Sequence, residues 1–257
     1  MSASASLFRR SYSSTIASAA SRQANRRQFI PLGFGDEEVF HTNYGVANRQ
    51  LARIVRAHRG CLIGFAGVHP RQDRGNVLHL LSTAVHDYGF RGVKVHGHIG
   101  FANREVCEAV QALQIPLLYD VVGRMEVVDM IAPQFPSVNF IIPHMGSFAD
   151  DWRAQQQMVE QLVRFPNVYA DTSGVRRFDY IVEAVRRAGP HKLIFGSDGP
   201  WLHPGVELAK IKALGLPAAQ EAMIFGGNLM RILSVPLPAH SAGEPKPRSV
   251  RCGLTLR

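Results

Sequence analysis

The chain has no apolar run approaching the roughly 18 residues that a membrane-spanning helix requires, so no membrane partner is expected. Cysteine is scarce as well. Cys61, Cys107 and Cys252 are odd in number and lack CxxC spacing, which argues against a disulfide scaffold and for a reduced interior. Acidic residues are missing from the first 35 positions, which hold five arginines. Residues 239–257 add a further net +3, so of the overall +9 a single charge is left for the segment between them. A nucleic-acid-binding domain carries its basic patch on the folded part, and that distribution argues against nucleic acid as a partner.

What is present fits one large core. The 257 residues are 46% hydrophobic and 19% charged, a globular composition and a length that suits one (β/α)8 barrel. Residues 1–27, rich in Ser, Ala and Arg, read as a disordered or presequence-like segment, residues 28–236 as the folded domain, and residues 237–257 as a disordered basic tail. Reduced thiols suit the cytoplasm. The acid-free, arginine-rich start keeps mitochondria as the alternative compartment.

Within the domain, apolar runs begin near Leu62, Gly92, Ile115, Val138, Asn167 and Lys192. Between them lie segments of helical periodicity. Asn48–His58 reads as one helix, and Asn103 is placed to cap another that presents Val106, Val110 and Leu113. Trp152, Val159 and Val163 mark a third, and Ile181, Val182 and Val185 a fourth. Strands alternating with helices imply a parallel sheet. These six strands leave two to be found before residue 60: Gln28–Leu32 can end one, and Ser14–Ala20 is a weak candidate for the other. The expected fold is therefore an α/β TIM barrel, open or poorly closed at its N-terminal edge.

Several apolar runs end in a polar residue: Val138-Asn-Phe-Ile-Ile-Pro-His144, Asn167-Val-Tyr-Ala-Asp171 and Lys192-Leu-Ile-Phe-Gly-Ser-Asp198. In a barrel such strand tips share one face, so residues distant in sequence converge there. These stretches, with Ile63-Gly-Phe-Ala-Gly-Val-His-Pro70, Gly92-Val-Lys-Val-His96 and Ile224-Phe-Gly-Gly-Asn228, resemble the amidohydrolase-related family. The matching branch includes aminocarboxymuconate-semialdehyde decarboxylase-like and resorcylate decarboxylase-like enzymes. The resemblance implies a distorted barrel of the metal-dependent hydrolase type, with one divalent metal, zinc foremost and manganese as the alternative, at the strand ends. It places Asp198 at the eighth-strand ligand position, His144 at the sixth-strand catalytic position, and Lys94 and His96 on the fourth strand. Two departures stand out. No His-x-His precedes residue 60, where His41 and His58 stand alone, and the fifth-strand position usually held by His is Asp120.

Each candidate has a structural reading beside the chemical one. Asp198 can bind metal or move a proton, or cap the following turn. His144 can ligate or shuttle a proton, or be a satisfied core histidine. Lys94 and His96, two apart on a strand, point the same way, and Lys94 suits a substrate carboxylate or a structural pair with Asp120. Asp120 can be an oxygen ligand or that counter-charge. Asp171, before Thr-Ser-Gly, can contact substrate or form an Asx turn. Trp201 and His203 can wall a pocket, or Trp201 can cover core; His69 can line the pocket or lie in a loop. Gly226-Gly227-Asn228 reads as packing of a closing helix.

The expected metal set is thus Asp198, Asp120, His144 and His96, the expected catalytic pair His144 and Asp198, and the expected substrate contacts Lys94, Asp171 and Trp201. The expected activity is metal-dependent hydrolysis of a small carboxylated or cyclic substrate. The alternatives are non-oxidative decarboxylation by the same residues, or an inactive truncated barrel. A small molecule is the expected partner, with self-association left open.

Overall fold

The computed structural model describes residues 28–31, 43–58, 62–199 and 201–234. Ser14–Ala20, His41 and the two terminal segments lie outside the described residues. Among the described residues seven strands occur: β1 Gln28–Pro31, β2 Leu62–Gly67, β3 Gly92–His96, β4 Leu117–Asp120, β5 Phe140–Ile142, β6 Val168–Asp171 and β7 Leu193–Ile194. The helices are α1 Tyr44–Ala57, α2 Val77–His86, α3 Arg104–Ala112, α4 Glu126–Ile131, α5 Trp152–Arg164, α6 Phe178–Ala188, α7 Pro204–Ala213, α8 Ala218–Ala222 and α9 Asn228–Ile232. None of them is long and apolar enough to cross a membrane.

The strands form one sheet in sequential order, and every neighbouring pair is parallel. Right-handed β-α-β crossovers of this kind curl a sheet into a barrel. Among the described residues it is an incomplete TIM barrel, one strand short of the usual eight.

Side chains alternate across the pleat. Val93, Val95, Leu117, Tyr119, Phe140, Ile142, Val168, Ala170 and Leu193 face the helices and form the main core. The opposite set, Ile63, Phe65, Leu118, Ile141, Tyr169 and Ile194, fills the barrel interior, where Leu229, Met230, Ile232 and Leu233 of the last helical segment join it. Asn228 anchors that segment, its amide donating to the carbonyls of Pro190 at 2.8 Å and Leu193 at 2.7 Å. The closing-helix reading of Gly226-Gly227-Asn228 thus agrees with the fold.

Helix starts follow their caps. Asn103 accepts from the Val106 N–H at 2.9 Å, as its position indicates. Helix α1 begins before the expected Asn48, because Asn43 is its cap and accepts from the Val46 N–H at 3.1 Å. Asn48 instead lies on the buried face and makes a reciprocal pair with the Gly67 peptide at 2.8 and 2.9 Å. On α5 the apolar face differs from the one expected. Ala154, Met158, Val159 and Leu162 are buried, whereas Trp152 and Val163 are exposed, since Gln155 and Gln161 turn inward to bond backbone carbonyls. On α6, Ile181 is buried and Val182 exposed.

One buried amide carries more than its share of this packing. Asn167, just before β6, donates to the carbonyls of Ala132 and Phe135 at 3.1 Å and of Val138 at 3.0 Å, closing the turn between α4 and β5. Asn167→Ala strands those buried acceptors. The variant is expected to lose about 2–3 kcal/mol of stability in a urea titration, and a loss within experimental error would contradict this role for the amide.

Candidate active site

The polar residues of the inner face gather at the C-terminal strand ends. Lys94 and His96 project from β3 on the interior side, as their spacing requires. His96 is paired in register with Asp120 of β4, and its Nε2 lies 3.3 Å from Oδ2. The partner of Asp120 is therefore His96 and not Lys94, which corrects the structural pair considered from sequence. The other Asp120 oxygen accepts from the Val122 N–H at 3.1 Å. Burial pushes the Asp120 carboxyl up, but His96, His144, Lys94 and the Val122 N–H outweigh it and hold its pKa below the usual carboxylate value.

After β5 the chain turns sharply. His144 and Met145 both take left-handed backbone angles, with φ of 58° and 49°. Such angles cost energy in a non-glycine residue and need support. Asp171, at the tip of β6 and only 1% exposed, provides it. Its Oδ1 accepts from the His144 N–H at 3.0 Å, the Ser173 N–H at 2.9 Å and the Ser173 hydroxyl at 2.7 Å. The Asx-turn reading of Asp171 is thus what the structure has, extended across to the neighbouring strand. Among the described residues its Oδ2 is buried without a hydrogen-bond partner.

The imidazole of His144 is held just as closely. Its Nδ1 lies 2.9 Å from the Ser173 carbonyl and 3.0 Å from the Ser173 hydroxyl, with Phe148 edge-on to the ring. A carbonyl only accepts, so Nδ1 carries the hydrogen and Nε2 presents a lone pair. Helix α7 braces this segment from behind. Glu207 accepts from the Gly174 N–H at 3.1 Å and pairs with Lys210 at 2.6 Å, and Lys210 reaches the carbonyls of Thr172 and Val175.

Asp198 follows β7 with φ of 46°, a second strained strand tip. Burial raises its pKa above the ordinary carboxylate value. His144 and Lys94 oppose that shift, and Asp171 and Asp120 add to it. Asp198, His144, Asp120, Asp171 and Lys94 thus share one electrostatic neighbourhood.

Other candidates have structural duties. His69 is buried, and its Nδ1 accepts from the N–H groups of Arg71 and Gln72 at 3.2 and 3.3 Å, ordering the turn after β2. His203 caps α7 by accepting from the Gly205 N–H at 3.1 Å. Trp201 is 65% exposed, so it is not core cover. His98 stacks on His96, with ring centroids 4.9 Å apart.

The proposed metal set does not assemble. Among the described residues no three His, Cys, Asp or Glu side chains form a group able to hold an ion. His96 is not arranged as a ligand: its Nδ1 accepts from the His98 N–H at 3.4 Å, so its Nε2 carries the hydrogen toward Asp120. A ligating histidine has the opposite arrangement, donating from one ring nitrogen and coordinating through the other. Asp120 in turn faces that N–H. This leaves His144 Nε2 and Asp198, fewer donors than a divalent site normally uses. Of the four residues expected from sequence, His144 and Asp198 are thus the two with donor atoms left free.

The amidohydrolase family model matches residues 9–235. The chain belongs to the amidohydrolase family. No curated protein matches it. Solved structures do. The 2,6-dihydroxybenzoate decarboxylase from Rhizobium is 17% identical, with a TM-score of 0.62 over 74% of this chain and 76% of its own. The 5-carboxyvanillate decarboxylase from Sphingomonas paucimobilis is 16% identical, with a TM-score of 0.64 over 82% and 79%. A dihydroxybenzoic acid decarboxylase from a Polaromonas species, solved with manganese and 2-nitroresorcinol, is 19% identical, with a TM-score of 0.60 over 74% of each chain. These likenesses confirm the amidohydrolase-type barrel.

Sequence reasoning missed Ser173, Glu207 and Lys210. Ser173 belongs to the Thr-Ser-Gly that follows Asp171, and its place two residues after a strand-tip Asp was the available signal. Nothing local marks Glu207 or Lys210, whose targets are some 33 to 38 residues away. A direct check of the site is the His144 tautomer. Long-range ¹H–¹⁵N spectra of the neutral ring should place the hydrogen on Nδ1; a hydrogen on Nε2 would refute the arrangement derived above.

Proposed function

We propose that this chain is a non-oxidative decarboxylase of small hydroxylated aromatic carboxylates. The observation that carries the reading is the pairing at the strand tips of a desolvated carboxyl, Asp198, with an imidazole, His144, whose Nε2 lone pair is left free to act. Decarboxylation rather than hydrolysis is favoured because several of the similar solved structures are decarboxylases. Hydrolysis would call for an activated water, and the donors that would hold a metal for that purpose do not assemble.

The chemistry needs one proton delivered and one hydroxyl hydrogen drawn away. His144 Nε2 accepts the hydrogen of the ring hydroxyl next to the carboxylate and so raises electron density on the ring. Asp198, protonated more readily than an ordinary carboxyl because it is buried, delivers its proton to the ring carbon that bears the carboxylate. The carbon–carbon bond then breaks, its electron pair restores the aromatic ring, and carbon dioxide leaves. His144 hands its hydrogen back to the phenolate oxygen of the product, and solvent returns the proton to Asp198. Asp171 and Ser173 do not touch the substrate in this scheme; they fix the ring of His144.

The same residue that serves the reaction weighs on the fold. A carboxyl whose folded pKa is raised binds its proton more tightly folded than unfolded. Ionising it therefore costs stability as pH rises from the unfolded value, about 3.9, through the folded one. Asp198→Asn removes that cost. The variant should lose release of carbon dioxide from 2,6-dihydroxybenzoate or a related hydroxybenzoate by at least about 100-fold. It should also melt higher than wild type at neutral pH, by about 2–4 °C per kcal/mol relieved, with the gain vanishing below about pH 4. An Asn variant that keeps its turnover would rule out Asp198 as proton donor.

A further inference from the structure

Among the described residues, the inward-facing Lys94 has no counter-ion of its own. Lys94 is half-buried on β3, between Gly67 of β2 and Leu118 of β4 in register. Its ammonium makes no hydrogen bond or ion pair with any described residue, although both Asp120 and Asp198 lie within its field. Asp120, on the adjoining strand, is taken by His96 and the Val122 N–H. An ammonium partly withdrawn from water and left without a partner is costly, and an anionic ligand is what relieves it.

The metal donors fail in a complementary way. His96 turns an N–H, not a lone pair, toward Asp120, so among the described residues of the expected metal set His144 and Asp198 alone keep free donor atoms, and no group of three possible ligands forms. The site is therefore short of ligands for a dication, yet it holds a fixed cation on the same inner face. Resting on the decarboxylase reading, we propose that Lys94 supplies the positive charge that binds the substrate carboxylate, and that this site works without a resident divalent metal. The three inward positions then divide the work: Lys94 holds the anion, Asp198 delivers the proton and His144 takes up the hydroxyl hydrogen. Lys94 suits the task because a lysine ammonium is a compact charge with three donors, able to follow a carboxylate as its bond to the ring lengthens.

The test uses the full chain, with 2,6-dihydroxybenzoate as the carboxylate probe and resorcinol as the same ring without the carboxylate. Metal content is measured by elemental mass spectrometry, and binding by calorimetry in the presence of EDTA. The expected result is far less than one metal per chain and binding of the acid that EDTA leaves unchanged. Lys94→Met should weaken that binding roughly 10- to 100-fold, the size of a lost charge-assisted hydrogen bond. Lys94→Arg should retain most of it, and resorcinol should bind wild type and Lys94→Met alike, which shows that the variant still folds. One manganese or zinc per chain that disappears in Asp198→Asn overturns the proposal. So does acid binding that EDTA abolishes, no binding to the metal-free protein at all, or an equal loss of acid and resorcinol binding in Lys94→Met. Carbon dioxide release separates this from the broader reading. If the acid binds through Lys94 in EDTA and no hydroxybenzoate is decarboxylated, the decarboxylase reading falls and the role of Lys94 stands. If release occurs only with added metal, the decarboxylase reading stands and this proposal falls.

Discussion

The carboxylate of Asp171 is the joint on which the site turns. Three hydrogens converge on one of its oxygens, two from Ser173 and one from the backbone of His144, and so a strand tip on β6 holds the strained turn after β5. Without it, two consecutive left-handed residues would relax toward ordinary angles. The His144 ring would then lose both its position and the carbonyl that sets its tautomer. Charge-assisted bonds of this sort are stronger than neutral ones, and burial makes their absence more costly. Glu207 and Lys210 extend the bracing to α7, so the reactive histidine is supported from a helix two βα units further along the chain.

The barrel separates its two faces by simple alternation. Odd-numbered residues on β3 and β4, such as Val93, Val95, Leu117 and Tyr119, pack beneath the helices, and the even-numbered ones turn inward. The inner set is apolar at one end, where Ile63, Leu118, Ile141 and Ile194 meet the last helical segment. It becomes charged at the other, where Lys94, His96, Asp120 and Asp171 stand. That gradient along the barrel axis keeps the stabilising contacts away from the chemistry, in line with the general behaviour of this architecture.

Much of this was legible in the sequence. Apolar runs closed by a polar residue announced parallel strands and their reactive tips, and Lys94 and His96 could be set on one face from spacing alone. Identity of partners was not legible. Lys94, His96 and Asp120 are near neighbours on adjacent strands, and only the register, which sets His96 opposite Asp120, decides which two meet. Ring tautomers were hidden for the same reason. Whether a histidine can ligate depends on what its other nitrogen touches, and those contacts come from the His98 backbone in one case and the Ser173 carbonyl in the other. The N-terminal strand expected at Gln28–Leu32 did form, as β1 over Gln28–Pro31, in parallel register with β2. The face of α5 was misread because buried glutamines replaced apolar residues at core positions.

Gly196 shows how tightly the strand tips are fitted to one another. A Cβ at that position would stand 2.9 Å from the Asp171 carboxyl carbon and 3.0 Å from its bonded oxygen. The missing methyl is thus a measure of the spacing between β6 and the chain leaving β7. Any side chain there would push against Asp171, and through Asp171 against the His144 turn, which Gly196 itself does not bond. Substitutions at positions 196 and 144 are therefore expected to be non-additive, because Asp171 links them.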